Sequence, residues 1–154
     1  MKRLMWPALL GLALVGCAGN KGPIPTHPVE GRIFYDGKPA AGVQVFLLPT
    51  SAPMVPEVPT NPHGVTGPDG RFTLGTYSKT DGAAEGGYQV VLLWIKEPEP
   101  GAEATDEDRL LGWYSGVHSK LTVQIKSGTN QLPEIRLPAV TKPPEAVEGV
   151  PGRN

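Results

Sequence analysis

The chain has one cysteine, Cys17, among 154 residues. That excludes an intrachain disulfide and any zinc site built from several thiolates. Positive charge is not in excess either. Lys and Arg number 14 against 15 Asp and Glu, a formal charge of −1. A nucleic-acid surface needs a basic face, so no nucleic-acid partner is expected. A spanning helix needs about 20 apolar residues, and the longest apolar run, Leu4 to Val15, is too short for that. Long helices are not expected, because 20 Gly and 18 Pro together approach a quarter of the chain without a repeat period. What is present instead is a series of short alternating runs separated by turn residues.

The N-terminus sets the address. Lys2 and Arg3 precede the run from Leu4 to Val15, a basic start and an apolar core of signal-peptide length. The run ends Leu14-Val15-Gly16-Cys17. This resembles the lipobox of bacterial lipoproteins: an aliphatic residue, two small or aliphatic residues, then cysteine. The resemblance implies a leader over 1–16, cleavage before Cys17 and lipid attachment to Cys17. More than one acyl chain is needed because a single myristoyl-sized chain holds only marginally. Without residues 1–16 the chain loses Lys2 and Arg3 and no acid, so its formal charge moves from −1 to −3. Ala18, not Asp, follows Cys17, which by the usual sorting rule favours the outer membrane of a two-membrane envelope. Residues 17–27 read as a flexible Gly/Pro tether.

The folded part is expected over 28–137. Thr66-Gly-Pro-Asp-Gly-Arg-Phe-Thr-Leu74 is its clearest unit: a Pro68-Asp69-Gly70 turn, then Phe72 and Leu74 alternating with Arg71 and Thr73. Val29, Gly31, Ile33 and Tyr35 share one face of a first strand. Asp36-Gly37 turns the chain into a second strand with Val43, Val45 and Leu47 on one face. Residues 87–95 are apolar on both parities and read as a central strand covered on both sides. Leu121, Val123 and Ile125 mark another strand, and Ile135 and Leu137 the last. A seventh short strand is expected near Val65 or Trp113. Leu110, Leu111, Trp113 and Tyr114 are expected to close one end of the core.

Two long loops interrupt the pattern. Pro49 to Gly64 holds prolines 49, 53, 56, 59 and 62, too many for a central strand. Lys96 to Asp108 is acidic, and Thr105 with Asp106, Glu107 and Asp108 reads as the start of a short helix to about Leu111. Its acids lack the alternating spacing of a calcium loop. From Pro138 the tail to 154 is Pro-, Gly- and charge-rich and is expected to be disordered.

Six to seven short strands with turns between them predict an all-β, antiparallel Greek-key sandwich. Val29-Glu-Gly-Arg-Ile-Phe-Tyr-Asp-Gly-Lys-Pro-Ala-Ala-Gly-Val-Gln-Val-Phe-Leu47, Thr66 to Leu74, and Gly87-Tyr-Gln-Val90 together resemble the carboxypeptidase regulatory-like domain, a transthyretin-like (prealbumin-type) sandwich. Arg109-Leu-Leu-Gly-Trp-Tyr-Ser115 resembles a subset carried by small lipoproteins of planctomycete-type bacteria. Gly67 departs from the family's common Asp, and Asp69 is expected to take that turn role. These are fold motifs and imply no reaction.

Catalytic patterns are sparse. The resemblance also reaches a hydrolase of 5-hydroxyisourate, which requires a C-terminal Tyr-Arg-Gly-Ser. The chain here ends Val150-Pro-Gly-Arg-Asn154. His27, His63 and His118 lie in loops with no second ligand at close spacing, so no metal or other cofactor is expected. Ser115 and Ser119 flank His118 without a Gly-x-Ser-x-Gly elbow. Trp94 and Trp113 are expected in the core rather than stacked on sugar. The expectation is a monomeric, non-enzymatic sandwich at the cell envelope, bound to the membrane through Cys17, with an envelope protein or a glycan as partner. The alternative is a carbohydrate- or peptide-binding module using loops 49–64 and 96–108. A transthyretin-like hydrolase ranks last.

Overall fold

The computed structural model describes residues 24–51, 61–98 and 100–147. The leader, Cys17, residues 52–60 of the first loop, Glu99 and residues 148–154 lie outside the described residues. The strands are β1 (Thr26–His27), β2 (Val29–Tyr35), β3 (Lys38–Pro39), β4 (Gln44–Pro49), β5 (His63–Val65), β6 (Arg71–Thr73), β7 (Ala83–Ala84), β8 (Gly86–Leu93), β9 (Thr122–Ile125), β10 (Asn130–Gln131) and β11 (Ile135–Leu137). The fold is all-β, with no helix among the described residues.

β2 is the hub of the first sheet. The odd residues of β2 turn their backbone groups to one edge and the even residues to the other. On the odd edge, Leu74 N–H donates to Val29 O, Ile33 N–H to Gly70 O and Ala40 N–H to Ile33 O, which brings β6 and β3 alongside, antiparallel. On the even edge, Asn130 N–H donates to Pro28 O, Leu132 N–H to Glu30 O and Asp36 N–H to Leu137 O, which brings in β10 and β11, parallel to β2. The final strand is therefore not antiparallel to the first. The second sheet has the order β5-β4-β8-β9, antiparallel throughout. Val29, Ile33, Phe72 and Leu137 from the first sheet meet Val45, Leu47, Val90, Leu92 and Ile125 from the second in one core. The predicted sandwich is what forms.

The Asp36-Gly37 turn is a two-residue hairpin loop with φ of 48° and 74°. Positive φ at both central residues matches the right-handed strand twist. The chain then crosses to β4 in the other sheet. β5 is the expected seventh strand. β8 lies inside its sheet as expected, but only Tyr88, Val90, Leu92 and Trp94 are buried; Val91, Leu93 and Ile95 are half-buried. The outer face is part-covered by the 116–119 segment, which accepts two hydrogen bonds from the Gln89 amide.

Four local expectations are corrected. No helix forms over 106–111. Thr105 Oγ1 accepts from Glu107 N–H, but the Asp108 carboxylate takes the N–H groups of Leu110 and Gly112 and folds the segment into successive turns. Leu110 is fully buried and Tyr114 packs on the core, whereas Leu111 is half-exposed with φ of 53° and Trp113 is 39% exposed. The last residues of the tether are docked: β1 pairs with β7, and Ile24 N–H donates to Tyr77 Oη. Residues 138–147, expected without order, are tied back by Tyr35, Trp113 and His118.

Where the chain joins the domain, a carboxylate does structural work. Asp81 Oδ1 accepts from Thr76 N–H at 2.8 Å and Oδ2 from Tyr77 N–H at 3.0 Å. Burial alone would raise its pKa, but the N–H groups of Thr76, Ser78 and Tyr77 outweigh that and hold it below the usual carboxylate range. A depressed folded pKa stabilises above the unfolded value and is lost as pH falls through the folded one. Asp81→Asn should therefore lower stability at pH 7 by about 1 kcal/mol, solvent screening included. The gap to the native chain should shrink in strong acid, once pH falls below the depressed folded pKa of Asp81 and its carboxyl is neutral like the amide. Urea unfolding at the two pH values measures this, and a gap independent of pH would refute it.

Gly70 and Gly37 separate two costs. A Cβ at Gly70 (φ 76°) would sit 2.4 Å from Ile33 O, whereas one at Gly37 (φ 74°) meets nothing within 4 Å. Gly37→Ala should cost about 1–2 kcal/mol from backbone conformation alone. Gly70→Ala should cost distinctly more, above about 3 kcal/mol, because backbone must move. Equal losses in urea unfolding would contradict the close approach.

Candidate functional site

A broad concave feature lies at the Tyr35 end of β2. It is an open basin of about 780 Å³ lined by the β2–β3 hairpin (Tyr35, Asp36, Lys38), the end of β8 (Trp94, Lys96) and Arg109. Its floor is built in layers. Trp94 is buried and its Nε1–H donates to Ala41 O at 2.9 Å. The Tyr35 ring meets it edge-on, centroids 5.2 Å apart at 77°. The Arg109 guanidinium lies 3.7 Å from the centroid of the Trp94 ring.

Asp108 holds that stack in place. Its Oδ1 accepts from Trp94 N–H and Leu110 N–H, and its Oδ2 from Gly112 N–H, at 3.0–3.1 Å. Arg109 N–H donates to Trp94 O at 2.7 Å. The cation–π contact contributes about 0.5–2 kcal/mol. Three hydrogen bonds to a carboxylate contribute more, at about 1.5–3 kcal/mol each. Asp108 therefore positions Arg109, not the reverse. Lys96 pairs with Glu107. Among the described residues, Lys38 and Arg109 have no carboxylate within ion-pair distance. The basin thus offers two unneutralised cations over an aromatic floor, with Asp36 and Glu97 at its rim.

A second polar cluster adjoins the ordered tail. Ser115 Oγ lies 3.1 Å from His118 Nδ1, and His118 Nε2 lies 3.2 Å from Glu145 O. A carbonyl can only accept, so Nε2 carries a hydrogen, and in the neutral ring Nδ1 then accepts from the Ser115 hydroxyl. This is the hydroxyl–imidazole pairing that a nucleophile requires. Here it closes a local turn in which Ser115 O accepts from the N–H groups of His118 and Ser119. Ser119 points elsewhere, with its buried hydroxyl donating to Val90 O.

The remaining expected residues are not brought together. His27 Nδ1 accepts from Gly128 N–H and its Nε2 faces Glu85 at 3.2 Å. His63 stacks on Phe46. Among the described residues no three His, Cys, Asp or Glu side chains converge as a metal site would require. Asp69 Oδ1 accepts from Arg71 N–H, the turn role expected of it. Trp94 is a core residue, as expected, and has no free face for a sugar. Trp113 is not core, and its Nε1–H donates to Lys142 O at 2.7 Å. Loop 96–108 borders the basin through Lys96 and Glu97, whereas the middle of loop 49–64 lies outside the described residues. The role of Arg109 went unread in the sequence. Its single signal was its place immediately after the acidic run, which links it to Trp94 only through the Asp108 turn.

No protein-family model matches the chain, and no curated protein matches it. Among solved structures, a DUF3823 family protein from Parabacteroides merdae is similar at 19% identity and a TM-score of 0.38. The match covers 76% of this chain and 47% of that one, so this chain spans about half the length of its structural neighbour.

If Asp108 positions the stack, Asp108→Ala should lower stability by about 2–4 kcal/mol and change the near-ultraviolet circular dichroism of tryptophan. Arg109→Ala should cost under about 1.5 kcal/mol. A larger loss for Arg109→Ala would invert the assigned order.

Proposed function

We propose that the chain is a lipid-anchored, non-catalytic sandwich that presents an interaction surface at the cell envelope. The anchor rests on the Leu14-Val15-Gly16-Cys17 pattern, and the sandwich on its likeness to carboxypeptidase regulatory-like domains. The observation that carries the reading is the disposition of the two ends of β2. The N-terminal segment joins at Val29, where β1 is pinned to β7, and the basin lies at Tyr35. Six residue steps of strand separate these ends by about 20 Å. A lipid on Cys17 would therefore hold the Val29 end towards the bilayer and turn Tyr35, Lys38 and Arg109 outwards. The non-catalytic part is supported by Ser115–His118, a turn contact whose orienting partner is a backbone carbonyl rather than an acid. Small glycan binding is the weaker reading, because the Trp94 faces are already covered.

Cys17→Ser should abolish incorporation of a fatty-acid probe and release the protein from the membrane fraction. Labelling that survives the substitution would end the anchor proposal. On intact anchored protein, a cysteine-reactive probe should modify Lys38→Cys faster than Lys126→Cys, which lies at the Val29 end beside Asn130. The reverse order would refute the orientation.

A further inference from the structure

The segment 138–147 belongs to no strand, yet three aromatic side chains, one from β2 and two from the turns at 111–118, grip its backbone. Tyr35 Oη accepts from Val140 N–H at 3.1 Å, Trp113 Nε1–H donates to Lys142 O at 2.7 Å, and His118 Nε2–H donates to Glu145 O at 3.2 Å. All three bonds go to main-chain atoms, so they read the backbone and not particular side chains. Val140 and Pro144 are half-buried against the domain, whereas Thr141, Lys142, Pro143 and Glu145 are exposed. Pro143 and Pro144 fix their own φ and push the preceding residues out of the helical region, which keeps the segment non-helical, with a bend at Lys142. Rigid aromatics that donate to and accept from the backbone of a proline-containing segment are the chemistry of proline-rich peptide recognition.

We infer that Tyr35, Trp113 and His118 form a binding groove for a peptide carrying an apolar residue and, four positions later, a proline. The chain's own residues 140–145 occupy this groove in cis. The connection from Leu137 to Val140 is short, so the cis segment acts at a millimolar or higher effective concentration. A partner segment must displace it. The inference deepens the interaction role proposed above and relies on that reading only for the existence of a partner. Tyr35 also lines the basin, so a partner strand in the groove would lie beside Lys38 and Arg109.

The test uses the whole chain and a fluorescein-labelled peptide of the sequence of residues 139–147, read by anisotropy. Val140→Gly with Pro144→Gly loosens the cis segment without touching the groove. This variant should bind the peptide saturably and at least about tenfold more tightly than the native chain, in which the cis segment competes. Adding Trp113→Phe keeps a ring but removes the N–H, and should weaken binding about fivefold or more with no change in melting temperature. No saturable binding to the loosened variant would overturn the groove, and so would binding indifferent to Trp113→Phe. Neither measurement involves Cys17. A failed titration therefore leaves the anchor proposal standing, and failed lipid labelling leaves the groove standing.

Discussion

The turn from Thr66 to Arg71 is the constraint on which the sandwich depends, because it is bonded to both sheets at once. Thr66 is sealed to Gly42 and Val43 by three contacts: its N–H donates to Val43 O, its buried Oγ1 accepts from Val43 N–H, and its carbonyl accepts from Gly42 N–H. Four residues later Gly70 O accepts from Ile33 N–H in β2. The turn is closed within itself by Gly67 and Arg71, and by Asp69 Oδ1 on Arg71 N–H. It sets the spacing between β4 and β2, and so the depth at which Val45 and Leu47 meet Ile33 and Phe72. The approach is close enough that only glycine fits at position 70.

The polar residues that would tempt a functional reading mostly serve the backbone. Asp81 and Asp108 gather loop N–H groups, Ser119 satisfies Val90 O within the core, and Asn130 ties Lys126, Gly128 and Pro28 together at the start of β10. A sandwich of short strands has many loop amides that no ladder satisfies, and buried unpaired amides are costly. Side-chain carboxylates and amides meet that demand. This is why the acidic run 103–108 does not assemble a cation site: its one partly buried member, Asp108, is spent on turns.

One end of the molecule is distinct from the rest. Lys38, Arg109, Tyr35, Trp113 and the ordered tail lie towards the Tyr35 end of β2, away from β1. Aromatic side chains there carry polar work. Burial, and then the neighbouring Tyr35 phenol, pushes the Tyr114 hydroxyl above its ordinary pKa, so that ring stays neutral at physiological pH.

Alternation at Val29–Tyr35, Val43–Leu47 and Phe72–Leu74, with Asp-Gly and Pro-Asp-Gly between, was enough to set strands, turns and the inward face, because period-2 burial is local information. The sequence likewise carried the Leu14-Cys17 pattern and the role of Asp69. It did not reveal that β11 runs parallel to β2, that Asp108 breaks the expected helix, or that residues 140–145 lie on Tyr35, Trp113 and His118. Each of these depends on groups up to about a hundred positions apart competing for the same backbone partners. Composition marks a Pro-rich tail as unable to build a core of its own. Only the assembled surface, with an indole N–H and a phenol oxygen at the right separation, decides that such a tail has somewhere to lie.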